Sequence, residues 1–351
     1  MSATIRQSNF ELMRIVAMVL IVTHHYVVNS GIMAVFAQGG GSLENYAFLK
    51  VIGAWGKTAI NPFVMVSGFF MCASTLTHKR FFKVFLEWMF YSWVVFGCMA
   101  LGGYETLCPM RLVKLLFSFF SGVDVGFTAS FMWFYLGIPI YNLIIKGLDK
   151  KGLYTLTIGL LVLFVVPITF FRNANVFHHV FWYMTLYFVG ACIRLYPLAW
   201  MAKQRIVVPL LFGSAALVTG VILGRIIHPC FVTNALSVVC SVHESSTLLA
   251  FTLGTAIFLF FKNLNIGYHK SVNLIASCMF GVLCIHAASD AMRTWLWRMV
   301  CRVPEMAAAP FGTLFGHAVL CVTAILILCS LIDLVRQRFI EKPFFEKVFQ
   351  S

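Results

Sequence analysis

Apolar stretches separated by short polar punctuation recur along nearly the whole chain, at 12–34, 51–74, 82–102, 127–146, 153–171, 177–196, 206–226, 246–262, 272–290 and 313–335. A helix needs roughly 20 apolar residues to cross the hydrocarbon core of a bilayer. The pattern therefore predicts an all-α polytopic integral membrane protein with about ten transmembrane helices, a single domain over residues 1–351. No small-residue cleavage site follows the first apolar run, so the first helix is expected to be retained rather than removed as a signal peptide. "LVKLLFSFFSG" (112–122) is too short to span and is expected to lie in the interface.

Composition agrees with the pattern: 61% of residues are hydrophobic, 11% are charged, and the mean hydropathy is +0.90. With ten spans both termini share a face. The loops on that face carry 16 lysines and arginines, Arg6 and Arg172 falling on opposite sides of the count, against 8 on the other face. This bias predicts cytoplasmic termini and a multi-pass protein of the plasma membrane. It also explains the net charge of +14 as an orientation signal spread over many loops, so no nucleic-acid partner is expected. The eleven cysteines lack CxxC or Cys/His ligand spacing, and most fall in apolar runs, so they read as buried hydrophobes with no metal implied. Cys230 and Cys240 lie in a more polar connection and could pair if that loop faces an oxidising compartment. There is no HExxH and no Gly-x-Ser-x-Gly elbow.

Ionisable groups inside a span are costly and so point to function. In "ELMRIVAMVLIVTHHYV" (11–27), Arg14 and His25 are eleven helical steps apart, which puts them within about 20° of one another on a single face. His24 points about 80° away from Arg14. The stripe from Arg14 to His25 is about 16 Å long, with Met18 and Ile21 between. Two readings of it are open. In one, Arg14 snorkels to the headgroups and His25 bonds a neighbouring helix. In the other, a neutral histidine takes a proton from a hydroxyl and the arginine receives an anionic ligand.

Arg14 and His25, introduced by "NFELMRIVAM", resemble the arginine-ten-histidine signature in the first helix of the membrane-bound acyltransferase 3 family. Later stretches resemble the family in order: "NPFVMVSGFFM" (61–71), "HKRFFKVFLEW" (78–88), "FMWFYLGIPIYNLIIKGLDKK" (131–151), "CMFGVLCIHAASDAMRTWLW" (278–297) and "IDLVRQRFIEKPFFE" (332–346). The resemblance implies an integral-membrane O-acyltransferase. It would move an acyl group, usually acetyl, from acetyl-CoA to a hydroxyl of a cell-surface carbohydrate or its lipid-linked precursor. Acyl-CoA would be a co-substrate, with no bound cofactor, and the other partners would be the carbohydrate acceptor and the bilayer. "GVLCIHAASD" departs from the family, with cysteine and alanines where tyrosine and polar residues are expected.

Carried over by position, His25 would be the catalytic base or a transient acyl carrier, and Arg14 would orient the donor. Lys79, Arg80 and Lys83 would meet CoA phosphates, although an orientation signal or lipid contact explains them as well. Lys57, inside the second span, could line the cavity or snorkel, and His24 is a further cavity candidate. Trp133 and Tyr135 could bind a sugar face, against the ordinary role of such aromatics as interface anchors. His286 and Asp290, four apart on one predicted span, would share a face, letting the carboxylate hold an imidazole tautomer; a helix-end histidine facing headgroups is the other reading. Ser67 and Gly68 would permit close helix packing, and "QGGGS" (38–42) reads as a flexible loop on the far face. The rival from another class is a transporter or flippase, since Pro62, Pro139 and Pro167 interrupt spans. A carrier with inverted repeats would echo the Arg14/His25 helix in its second half, and no echo is found.

Overall fold

The computed structural model describes residues 7–121, 126–171 and 179–349, and among these every regular element is helical. Arg6, Arg172 and the first residues of the sixth apolar stretch lie outside the described residues. Each predicted apolar stretch falls on a helix. Five helices are long and apolar enough to cross a membrane: Ser8–Val28, His78–Leu101, Lys150–Phe170, Gln204–Ile227 and Phe311–Val348. Two bent pairs bring this to seven. The remaining three, Gly56–Met71 with 16 residues, His179–Leu195 with 17 and Leu248–Lys262 with 15, are shorter. Gly56–Met71 packs against both of the others.

The bends have local causes. Phe127–Leu136 and Ile138–Gly147 meet at 48°, where Pro139 opens the second piece and supplies no N–H to the first. Lys270–His286 and Asp290–Val300 meet at 95°. There the Ser289 side chain accepts from the Met292 amide and starts a new helix in a new direction. The ninth predicted span, drawn over 272–290, therefore ends at His286.

Interior packing depends on small residues where backbones cross. A Cβ on Gly68 would lie 2.2 Å from the Tyr187 carbonyl oxygen, and one on Gly190 would lie 2.4 Å from that of Met65, so Gly56–Met71 and His179–Leu195 touch backbone to backbone. Buried polar groups tie the same region together. Asn61 donates to the carbonyls of Ser245 (2.8 Å) and Ala250 (3.0 Å) and accepts from Trp182 Nε1 (3.2 Å). At the end of the bundle where the chain enters, Ser8 donates to Asn273 (3.0 Å) and accepts from the His269 amide (2.8 Å).

Beside it, the Arg336 guanidinium sits among three carboxylates: Glu87 (3.1 Å), Asp333 (2.8 Å) and Glu341 (2.8 Å). Tyr91 and Gln337 donate to Asp333. Arg336 is 6% exposed at its side chain. It is thus an interior ion-pair partner, whereas the loop charge pattern alone counts it as an orientation signal. Cys230 is exposed, Cys240 is buried, and both are free.

Candidate active site

The helix Ser8–Val28 carries both ends of the predicted stripe. Met18 and Ile21 between them are buried, so the two polar groups are separated by packed apolar side chains. Each end meets a different environment.

At the His25 end, Nδ1 lies 2.9 Å from Nε2 of His286. His286 is fully buried, and its Nδ1 lies 2.6 Å from the Val282 carbonyl oxygen. A carbonyl only accepts, so the proton of a neutral His286 sits on Nδ1 and its Nε2 carries a lone pair. His25 Nδ1 must then be the donor, which leaves the lone pair of a neutral His25 on Nε2. That atom has no hydrogen-bond partner among the described residues. The arrangement Val282–His286–His25 fixes a tautomer and presents one free basic nitrogen.

His24 turns away from this pair, as its helical position predicts, and its Nδ1 donates to the Gly53 carbonyl at 2.5 Å. Gly56 makes room for it: a Cβ there would lie 2.2 Å from His24 Cβ. His24 and Lys57 line a cavity of about 690 Å³ on the face opposite the termini. Lys57 pairs with Glu244 at 3.2 Å.

At the Arg14 end a second cavity of about 720 Å³ lies on the face of the termini, lined by Arg14, Arg80, Lys83, Tyr135 and Arg194 among others. Arg14 pairs with Glu11 at 3.3 Å and lies over the Phe63 ring at 5.4 Å. Lys83 is held by Glu341 at 2.7 Å. Arg80 and Arg194 make no carboxylate contact among the described residues: Arg80 donates to the Thr75 carbonyl (3.3 Å), and Arg194 lies over the Phe69 ring (5.1 Å). Arg194 joins the site from the end of a distant helix, and its only trace in the sequence is its position as the last cation of an apolar run. Lys79 is exposed and lies outside the lining of this cavity.

Two expectations are corrected by this geometry. Asp290 does not orient His286: the helix break separates them, and Asp290, 96% exposed at its side chain, pairs with Arg293 instead. Trp133 does not face either cavity, because it donates to the Phe119 carbonyl at 2.7 Å and stacks on the Phe119 ring at 4.6 Å. Tyr135, the other aromatic named with it, lines the cavity beside Arg14 and Arg80 on the face of the termini.

Two aligned polar residues on the first helix, one meeting a buried histidine and the other a cationic cavity, match in order the motifs quoted above. A family model described as an acyltransferase domain matches residues 7–334. The chain belongs to the acyltransferase 3 family. It is therefore a membrane acyltransferase, and the match includes Arg14, His25, His286 and the cations that line the two cavities. No curated protein and no solved structure matches this acyltransferase.

Proposed function

We propose that the protein is an O-acyltransferase that moves an acyl group, acetyl in the simplest case, from acyl-CoA to a hydroxyl of a surface carbohydrate or its lipid-linked precursor. The observation that carries this reading is the His25–His286 contact with its bare His25 Nε2. In the reaction, Nε2 takes the proton of the acceptor hydroxyl while that oxygen attacks the thioester carbonyl. The new C–O ester bond forms, the C–S bond breaks, and the CoA thiolate leaves and recovers a proton from the His25 imidazolium. His286 accepts from His25 Nδ1 throughout, so positive charge developing on His25 meets a lone pair backed by the Val282 carbonyl.

The cavity beside Arg14 suits the donor. Arg80 and Arg194 offer guanidinium groups not neutralised by carboxylates, the chemistry that phosphates of CoA require. Arg14, braced by Glu11, stands at the near end of the stripe leading to His25. This assignment puts the termini and the donor in the cytoplasm and the acceptor on the far face of the plasma membrane. No resident cofactor is part of the proposal.

The test is acetyl-CoA turnover by the purified protein in liposomes supplied with surface glycans of its host. Wild type should build acetyl ester on glycan, and a folded His25→Ala variant should lose roughly 10²–10⁴-fold in rate. Glycan binding or translocation with no ester from any acyl-CoA would instead establish a carrier.

A further inference from the structure

The cavity on the face opposite the termini has a charge that the donor site does not account for. Its wall of about 690 Å³ includes His24, Tyr46, Lys50, Lys57, Arg225 and Ser237, and no carboxylate lines it among the described residues. That volume falls in the range of small-molecule sites. Lys57 is neutralised by Glu244, at 3.2 Å. Lys50 and Arg225 are not neutralised. Lys50 Nζ lies 5.4 Å from the Tyr46 ring centroid, and Arg225 Nη1 donates only to the Val232 carbonyl (3.4 Å) and to Asn234 Oδ1 (3.3 Å). Neither makes an ion pair among the described residues.

Loop cations in this chain concentrate on the face of the termini, so orientation gives no reason for Lys50 and Arg225, both exposed and without an ion pair among the described residues, to line one cavity on the other face. Like charges gathered in a concave wall repel one another, and the arrangement becomes favourable when an anion sits between them. Ser237 adds a buried hydroxyl oxygen with no hydrogen-bond partner. A guanidinium, an ammonium and an unpartnered hydroxyl form a donor set for a carboxylate or a phosphate oxygen.

The cavity also adjoins the proposed chemistry. His24 is in its wall, and the His24 and His25 ring centroids are 5.8 Å apart. We propose that the acceptor is an anionic carbohydrate whose carboxylate or phosphate is held by Lys50 and Arg225, which sets a neighbouring hydroxyl toward His25. This rests on the acyltransferase reading above and names its acceptor class. Lys50 and Arg225 are positioning residues for that acceptor and take no part in bond making.

The experiment uses acidic oligosaccharides released from the host's surface glycan. They are offered with acetyl-CoA to the full-length protein in liposomes in three forms: untreated, carboxyl-reduced, and dephosphorylated with hydrofluoric acid. Ester formation that is lost on carboxyl reduction supports the proposal with a carboxylate, and loss on dephosphorylation supports it with a phosphate. In either case Lys50→Gln with Arg225→Gln should raise KM for the untreated pool about tenfold at low ionic strength. Lys50→Arg should leave KM low, and retained acetyl-CoA binding reports folding of the variants. Equal ester formation on all three pools overturns the anionic acceptor and leaves the transferase standing. An unchanged KM in the double variant likewise removes Lys50 and Arg225 from acceptor binding. Absence of ester on every pool with any acyl-CoA overturns both.

Discussion

His25 and His286 are 261 positions apart in sequence, and neither alone has the property that their contact creates. A free imidazole exchanges its proton between two nitrogens; here the Val282 carbonyl, acting through His286, fixes which nitrogen of His25 is bare. Removing His286 should therefore slow the chemical step while sparing donor binding. His286→Ala is expected to lower kcat by about 10- to 100-fold, the usual worth of a group that orients a working histidine, with KM for acetyl-CoA unchanged. Single-turnover kinetics at saturating donor would read the difference, and a KM effect alone would assign His286 to binding. Both histidines stood out as candidates in the sequence, because each is an ionisable group in an apolar run. Their partnership was not: helical spacing reports neighbours three or four residues away, and it favoured Asp290, which the chain turns aside.

Helices in this protein are placed by what they lack as much as by what they bury. The crossing of Gly56–Met71 and His179–Leu195 depends on two missing methyl groups, at Gly68 and Gly190. Gly190→Ala would force the helices apart against the Met65 carbonyl and should destabilise the fold by about 1–3 kcal/mol. Gly213→Ala, whose Cβ meets nothing within 4 Å, should be neutral. Thermal unfolding in detergent, run on both, distinguishes a crossing effect from a general cost of the substitution. "VSGFF" signalled this packing, since small residues at an apolar interface have few other uses. The bends were harder to see. Around Gly137 apolar residues continue on both sides, so hydropathy runs unbroken through a change of direction, and at His286–Asp290 the polar residues that cap a new helix read equally well as the end of a span.

At the scale of the molecule, the described residues enclose a cavity at each end of the bundle, and Glu87 and Glu341 of the ion cluster stand in the wall of the one near the termini. Among the described residues Arg336 is the cation that pairs with both Glu87 and Asp333. Arg336→Met should cost about 3–5 kcal/mol, because it strands buried carboxylates. The Tm in detergent should fall accordingly, and an unchanged Tm would show that the cluster is not structural. The all-helical, multi-span architecture followed from composition and apolar periodicity alone. The two-ended layout did not, because Arg194, Arg225 and Lys50 acquire their meaning only from which loops fold over which end.

The packed layer between those ends has a further consequence. Between the wall containing Arg14 and the wall containing His24 the first helix presents Met18, Ile21 and Val22, all buried, and none of them lines either cavity. Along the first helix, residues 15–22 therefore offer water no polar side chain between the two walls. On the first helix these three side chains form an apolar break between two polar cavities, and an apolar break of this kind gives ions no solvated step along that helix.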